Sequence, residues 1–427
     1  MEPRDITQVG AEVSTEPLST HPASATAVDT RAPFASIDGV TPAAFHALPT
    51  PCYLLDEAQL QANAEILGAL AERTGCRILL AQKAFSNYDL YPILAPHLAG
   101  TEASGLYEAR LGAEEMPGKE VHVFCAAYRE DEMAELIHYA DHIVFNSPAQ
   151  LLRFGPEAKA AGKSLGLRIN PEHSTQDGHA IYDPCAPGSR LGTTRAQWET
   201  AVAAHPELPQ LLDGLHFHTL CEQDADALSE TLDAVAEKFG DLLPRLKWLN
   251  FGGGHHITRP GYDIALLEQC IRRAQERWDV TVYLEPGEAC ALNAGYLLTH
   301  VLDVVKNGDT TIAILDASAA CHMPDVIEMP YRPPLLQAGD VDEKACTVRL
   351  AGPTCLAGDV IGDYSFDTEP KIGDLLVFGD MAIYTTCKNN TFNGMPLPAI
   401  YTRKPDGRTE EIVHFSYRDF KYRLGRM

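Results

Sequence analysis

Eight short apolar runs alternate with amphipathic stretches along residues 50–290, and a series of β-forming runs without helical period follows them. That order predicts an α/β chain, a TIM-like (β/α)8 barrel followed by a C-terminal all-β domain. A third observation agrees. A lysine, two histidines, a glycine triplet and a glutamate stand where the barrel strands should end, which is where barrels keep their working residues.

Residues 1 to about 40 are rich in Ser, Thr, Ala and Pro with no apolar period, and predict a disordered extension. Asp56 is an N-cap for a helix that places Leu60, Ala64, Leu67 and Ala71 on one face. Strands are predicted near 76–82, 99–104, 120–126, 142–147, 165–171, 214–220, 248–254 and 280–287. Helical patterns such as EDEMAELIHYA and DIALLEQCIRRAQERW lie between them. The second strand, LAGTEAS, is the weakest β-former. Residues 172–195 are rich in Pro and Gly and predict an insertion or active-site loop. Beyond 297, runs such as TTIAILDAS, CTVRLAG and DLLVFGDM are separated by turn residues. The expected units are therefore an extension (1–40), a barrel (41–296) and a β-domain (297–427).

Composition narrows the function. A hydrophobic share of 45% and a charged share of 22% are ordinary globular values. No run approaches the roughly 18 apolar residues of a membrane span. The opening MEPRDITQVG lacks the basic-then-apolar order of a secretory signal. Eleven cysteines without a CxxC pair argue against a disulfide framework or zinc ribbon, so the expected location is cytoplasmic. A formal charge of −25 disfavours nucleic acid and suits a cationic small molecule, although acidity also serves solubility.

Lys83 directly follows the apolar run ILLA and should point into the barrel mouth, where a partly dehydrated amine can form a Schiff base. Gly252, Gly253 and Gly254 follow strand seven, the usual barrel phosphate position. Glu285 ends strand eight, where a carboxylate could keep a pyridine nitrogen protonated. His216 and His218 share one face of strand six. They could serve a cofactor ring or, with His255, His256 and Asp316, a metal; a barrel metallohydrolase is therefore an alternative. In the β-domain, Cys355 could protonate a carbanion, Asp359 could bind an amine, and the Tyr384 hydroxyl could reach a phosphate.

Together the stretches GLHFHTLCEQ, LKWLNFGGGHHIT, LEPGEA, CHMPDVIEMPYRP and GPTCLAGDVIGDYSF give the chain from about 50 to 425 a specific resemblance. It resembles the fold-type III decarboxylases that use pyridoxal 5'-phosphate, among them those acting on ornithine and diaminopimelate. The resemblance implies decarboxylation of carboxynorspermidine or carboxyspermidine in polyamine synthesis, with the diaminopimelate or ornithine activity as the alternative. It implies Lys83 as the Schiff-base lysine, His218 stacked on the cofactor ring, and Glu285 as the ring-nitrogen partner. Gly252–Gly254 and Tyr384 would hold the phosphate. Cys355 would act as the acid, reaching the site from the second subunit of a homodimer. Asp316 would face the distal amine of a small cationic polyamine. Two departures stand out: Glu288 replaces an arginine common in relatives, and Leu356 follows Cys355 where relatives carry Asp. Glu288 would bind substrate amines, and Asp359 would stand in for the missing Asp.

Overall fold

The computed structural model describes residues 45–176, 183–336 and 338–426; the extension expected over 1–40 lies outside them. Strand β1 (Cys52–Asp56) leads into the helix Glu57–Thr74, whose first turn is capped by the Asp56 carboxylate accepting from Ala58 N and Gln59 N. Then come β2 (Arg77–Ala81), β3 (Gly100–Ala103), β4 (Glu120–Phe124), β5 (His142–Phe145), β6 (Ser164–Arg168), β7 (Gly214–His216), β8 (Trp248–Asn250) and β9 (Thr281–Leu284). All eight are parallel, and β9 returns to β2 to close a barrel. Each predicted strand coincides with one of them. The weak run LAGTEAS forms β3 because the neighbouring strand lies so close: a Cβ on Gly100 would stand 1.9 Å from Glu120 O. Tertiary fit, not β-propensity, makes that strand.

Side chains alternate between the lumen and the helical layer. The Trp248 indole fills the lumen because Gly166 and Gly214 leave room; a Cβ on either would lie 2.3 and 2.0 Å from it. Leu79, Val144 and Tyr283 complete that plug. Above it lies the mouth, at the C-terminal ends of the strands. The described part of 172–194 contains no helix or strand, the helix Arg195–Ala204 beginning just after it, and residues 177–182 are outside the described set. It is pinned beside the mouth where Gln223 bonds Thr175 and Gln176.

The second sheet comprises β10 (Gly295–Asn307), β11 (Thr310–Leu315), β12 (Cys346–Ala351), β13 (Val360–Phe366), β14 (Leu375–Gly379), β15 (Ala399–Arg403) and β16 (Thr409–Val413). Strand β1 belongs here, antiparallel to β10 and parallel to β15, and not to the barrel as a boundary at 41 implies. All five of its residues are buried, so CYLLD needs a partner on both edges and finds them between β10 and β15. The sheet region also carries the helices Ala319–His322, Asp325–Glu328 and Tyr417–Leu424. The first two, of four residues each, are too short to show a period in sequence. Among the described residues no helix is long and apolar enough to cross a membrane, and all eleven cysteines are free.

Candidate active site

Lys83 sits half-buried in the turn that leaves β2. The Tyr384 N–H donates to Ala84 O at 2.9 Å, so the sheet region meets the barrel beside that lysine. Below Lys83 is a buried polar floor. Glu285, just past β9, accepts from Asn250 Nδ2 at 2.6 Å and pairs with His216 Nε2 at 3.0 Å. Burial works to raise the Glu285 carboxyl, but His216, then His122 and Asn250, outweigh it and hold it at about 2. Burial pulls the His216 imidazole below its ordinary value against the pull of Glu285. The pair is therefore an ionised carboxylate with a neutral imidazole donating from Nε2.

Glu102 on β3 is its opposite. Burial first, then the charge of Glu285, push its carboxyl up to about 8, with Lys83 opposing. At neutral pH Glu102 carries a proton, and its Oε2 is buried without a hydrogen-bond partner. Arg168 completes the floor. Its Nη2 donates to His218 O at 3.1 Å, and its guanidinium lies 4.5 Å over the Phe124 ring. His218 accepts at Nδ1 from the Gly253 N–H at 2.9 Å. Burial, then Lys83, hold its imidazole well below the ordinary value, leaving it neutral with its proton on Nε2.

The glycine triplet is required by close approach. Cβ atoms on Gly252, Gly253 and Gly254 would stand 2.4, 2.5 and 2.0 Å from Phe217 O, Glu285 O and Leu220 O. Gly252 and Gly254 also have positive φ, 70° and 82°. Two of the three amides are spent inside the chain: Gly252 N–H donates to Asn250 Oδ1, and Gly253 N–H to His218. Of the triplet that the sequence sets at a phosphate, Gly252 and Gly253 therefore have amides already engaged.

Along the rim a second group forms. The His256 Nε2 lies 2.7 Å from Glu288 Oε1, and Glu222 closes the trio, with donor atoms of all three within 4.8 Å of one another. Glu288, then burial, push the Glu222 carboxyl up to about 7. Burial, then Glu288, push Asp380 up to about 7 as well. For His256, burial favours the neutral imidazole, but Glu288 and Glu222 outweigh it and raise the ring above its ordinary value. Asp325, raised by burial, meets the Lys388 ammonium, which also reaches Glu328 at 2.6 Å. Burial and then the charges of Glu288, Asp325 and Glu222 keep the Tyr384 hydroxyl protonated, which places it beside this rim.

Three expected residues go elsewhere. Asp316 accepts at Oδ1 from Thr299 Oγ1 at 2.6 Å and His300 N at 3.0 Å, and at Oδ2 from Thr50 Oγ1 at 2.6 Å, so its carboxylate ties β10 and the residue before β1 to the end of β11. Asp359 is buried and accepts from Ser318 Oγ at 2.9 Å and Thr354 Oγ1 at 2.6 Å; it shapes the 352–359 turn. Cys355 is exposed, its thiol 2.7 Å from Asn393 Oδ1. The alternative metal set does not assemble: among the described residues no three of His216, His218, His255, His256 and Asp316 bring ligand atoms within 4.8 Å of one another. Glu102, Arg168, Asn250, Glu222, Asp325 and Asp380 were not singled out from sequence. Arg168 and Asn250 had a signal, each lying on a predicted strand in the lumen-facing alternation.

Residues 37–382 match the family described as pyridoxal-dependent decarboxylase, C-terminal sheet domain. The chain belongs to the pyridoxal-dependent decarboxylases. Among family members, a carboxynorspermidine/carboxyspermidine decarboxylase of Campylobacter jejuni is 41% identical over 390 residues, covering 89% of this chain and 99% of the relative. A carboxyaminopropylagmatine decarboxylase of Synechocystis is 42% identical over 379 residues, covering 88% and 96%. The crystal structure of carboxynorspermidine decarboxylase complexed with norspermidine, from Campylobacter jejuni, superposes with a TM-score of 0.80 at 40% identity, covering 88% of this chain and 100% of that one.

The donor set fits the family's pyridoxal cofactor. A primary amine, a buried ionised carboxylate and a neutral imidazole converge on one mouth. Buried polar atoms of Glu102 and His216 there lack a partner among the described residues, as expected where a polar group binds.

Proposed function

We propose that this decarboxylase removes CO2 from a carboxylated triamine, carboxynorspermidine or carboxyspermidine, giving norspermidine or spermidine, with pyridoxal 5'-phosphate in the barrel mouth. The observation that carries this reading is the acidic rim of Glu288, Glu222 and Asp380 beside Lys83, whose lone base is His256. It suits a substrate with ammonium groups beyond its reacting carbon, because the rim's own cations are already met by carboxylates, His256 by Glu288 and Lys388 by Asp325 and Glu328.

Bound pyridoxal 5'-phosphate supplies the electron sink that takes up the charge left when CO2 departs. The rest is the protein's. Lys83 would hold the cofactor through its amine. The Glu285 carboxylate would accept from the cofactor's ring nitrogen, since each of its oxygens takes one donor and has a lone pair remaining. His218, locked by Gly253, would line the ring's place. Gly254 and the Tyr384 hydroxyl would hold the phosphate. Glu288, Glu222, Asp325 and Asp380 take the substrate's ammonium groups, replacing the roles first expected of Asp316 and Asp359. The Cα–carboxylate bond breaks, and a proton from the Cys355 thiol replaces CO2 on Cα. Because Cys355 is exposed on the sheet region of its own chain, the reading includes a homodimer in which a second copy delivers it.

The relative at 42% identity favours a second reading, carboxyaminopropylagmatine, whose far end is a guanidinium. Both readings are tested by CO2 release from cofactor-loaded protein given each carboxy-triamine, carboxyaminopropylagmatine and diaminopimelate. The carboxy-triamines should have the highest kcat/KM. Preference for the guanidino substrate would establish the second reading, and preference for diaminopimelate would sink both.

A further inference from the structure

At the end of the barrel away from Lys83, where the strands begin, two neighbouring strands bring nitrogen and carboxylate donors together. His122 on β4 and His142 at the start of β5 are register partners, and their rings stack at 3.9 Å with an interplanar angle of 10°. Glu120 lies two residues before His122 on the same strand face, with Oε2 3.2 Å from His122 Nε2. One donor atom from each of the three lies within 4.8 Å of the others. His122 is 1% exposed, and the Nδ1 atoms of both histidines are buried without a partner among the described residues.

We propose that Glu120, His122 and His142 form a binding site for a first-row divalent transition metal, zinc above all, which braces β4 against β5 at the barrel floor. Two imidazoles and a carboxylate are a zinc donor set, and imidazole selects zinc, nickel or cobalt over magnesium and calcium. Tetrahedral ligands at about 2.0–2.1 Å from zinc stand about 3.3 Å from each other. Glu120 Oε2 and His122 Nε2 already have that separation, so the metal takes the place of the proton between them, which leaves to solvent. His142 is the more exposed imidazole and completes the set by turning out of the stack. The remaining position takes water. The outer support is in place, because the Arg77 Nη2 holds Glu120 Oε1 at 2.8 Å and leaves Oε2 for the metal. The Glu120 side chain, 26% exposed, gives the ion a way in from solvent. A site at the strands' N-terminal end supports the barrel and touches none of the reacting atoms.

The test uses full-length, cofactor-loaded protein stripped with a chelator and dialysed against zinc chloride or cobalt chloride. One equivalent of zinc per chain should remain, cobalt should give the visible bands of tetrahedral coordination, and the melting temperature should rise with zinc. His142→Gln and Glu120→Gln should each lose that equivalent and the cobalt bands, while His142→Gln keeps decarboxylation unchanged. No retained zinc in the parent, or zinc retained equally by both variants, overturns the proposal. If Glu120→Gln fails to fold, the half-exposed His142→Gln decides alone.

Discussion

Glu285 and Glu288 are three residues apart, each faces a histidine, and the two pairs end in opposite states. On the floor, Glu285 is driven down to about 2 and His216 is kept neutral. On the rim, His256 is raised; Glu288 and then burial keep Glu222 protonated up to about 7, and burial and then Glu288 do the same for Asp380. The difference lies in the neighbours. The floor surrounds one carboxylate with donors, from Asn250 and His216. The rim sets several carboxyls around one imidazole and leaves negative charge in excess, the condition for binding a cation.

Lys83 stands between the two, and replacing it should have the largest effect. Lys83→Ala should lose the near-visible absorption of cofactor-bound protein and reduce turnover by roughly 10³-fold or more. Undiminished absorption would mean the cofactor is held by other groups. Next, Glu285→Gln should lower kcat by roughly 10²-fold with KM little changed, because the charge it supplies matters when electrons flow into the ring. Glu288→Gln should do the reverse, raising KM for a triamine roughly 10-fold with a smaller effect on kcat, as expected of an interaction made equally in ground and transition states. If Glu285→Gln acted on KM and Glu288→Gln on kcat, the division into floor and rim would be wrong.

The floor was more legible in sequence than the rim. Glu285, His218 and Lys83 lie within or just past strands, and strands of a parallel barrel announce themselves as apolar runs. Glu102 lay on the predicted strand 99–104, and went unmarked because no residue pattern there signals that a carboxyl is buried beside Glu285. The rim is gathered from positions 222, 256, 288, 325 and 380, on loops and the first residues of four-residue helices whose spacing carries no signal. Asp316 and Asp359 misled for the converse reason: an aspartate in a Gly- or Ser-rich loop resembles a binding residue, and here each carboxylate is consumed holding its loop. The placement of β1 was equally hidden, since an apolar run does not name its partner strand.

The smallest effect is the most specific to the rim. Glu222 and Asp380 have folded values near 7, above the ordinary carboxyl range, so the folded chain binds more protons than the unfolded one between about pH 4 and 7. Their contribution to stability therefore falls as pH rises through that window and is flat beyond it. Glu285 has the opposite sign: its depressed value adds stability that is present above about pH 4 and is lost as pH falls towards 2. Buried neutral histidines such as His216 and His218 also lose stability on acidification, so the parent's own melting curve mixes both signs. The difference curve does not. Glu222→Gln lacks the rising penalty, so its melting temperature relative to the parent should climb by about 1 °C between pH 5 and 7.5. Norspermidine favours the ionised carboxylates, so its affinity for the parent should strengthen over the same interval, less steeply in Glu222→Gln. A difference curve that stayed flat, together with pH-independent norspermidine binding, would show that the rim titrates as ordinary surface carboxylates and that the contrast with Glu285 is one of position alone.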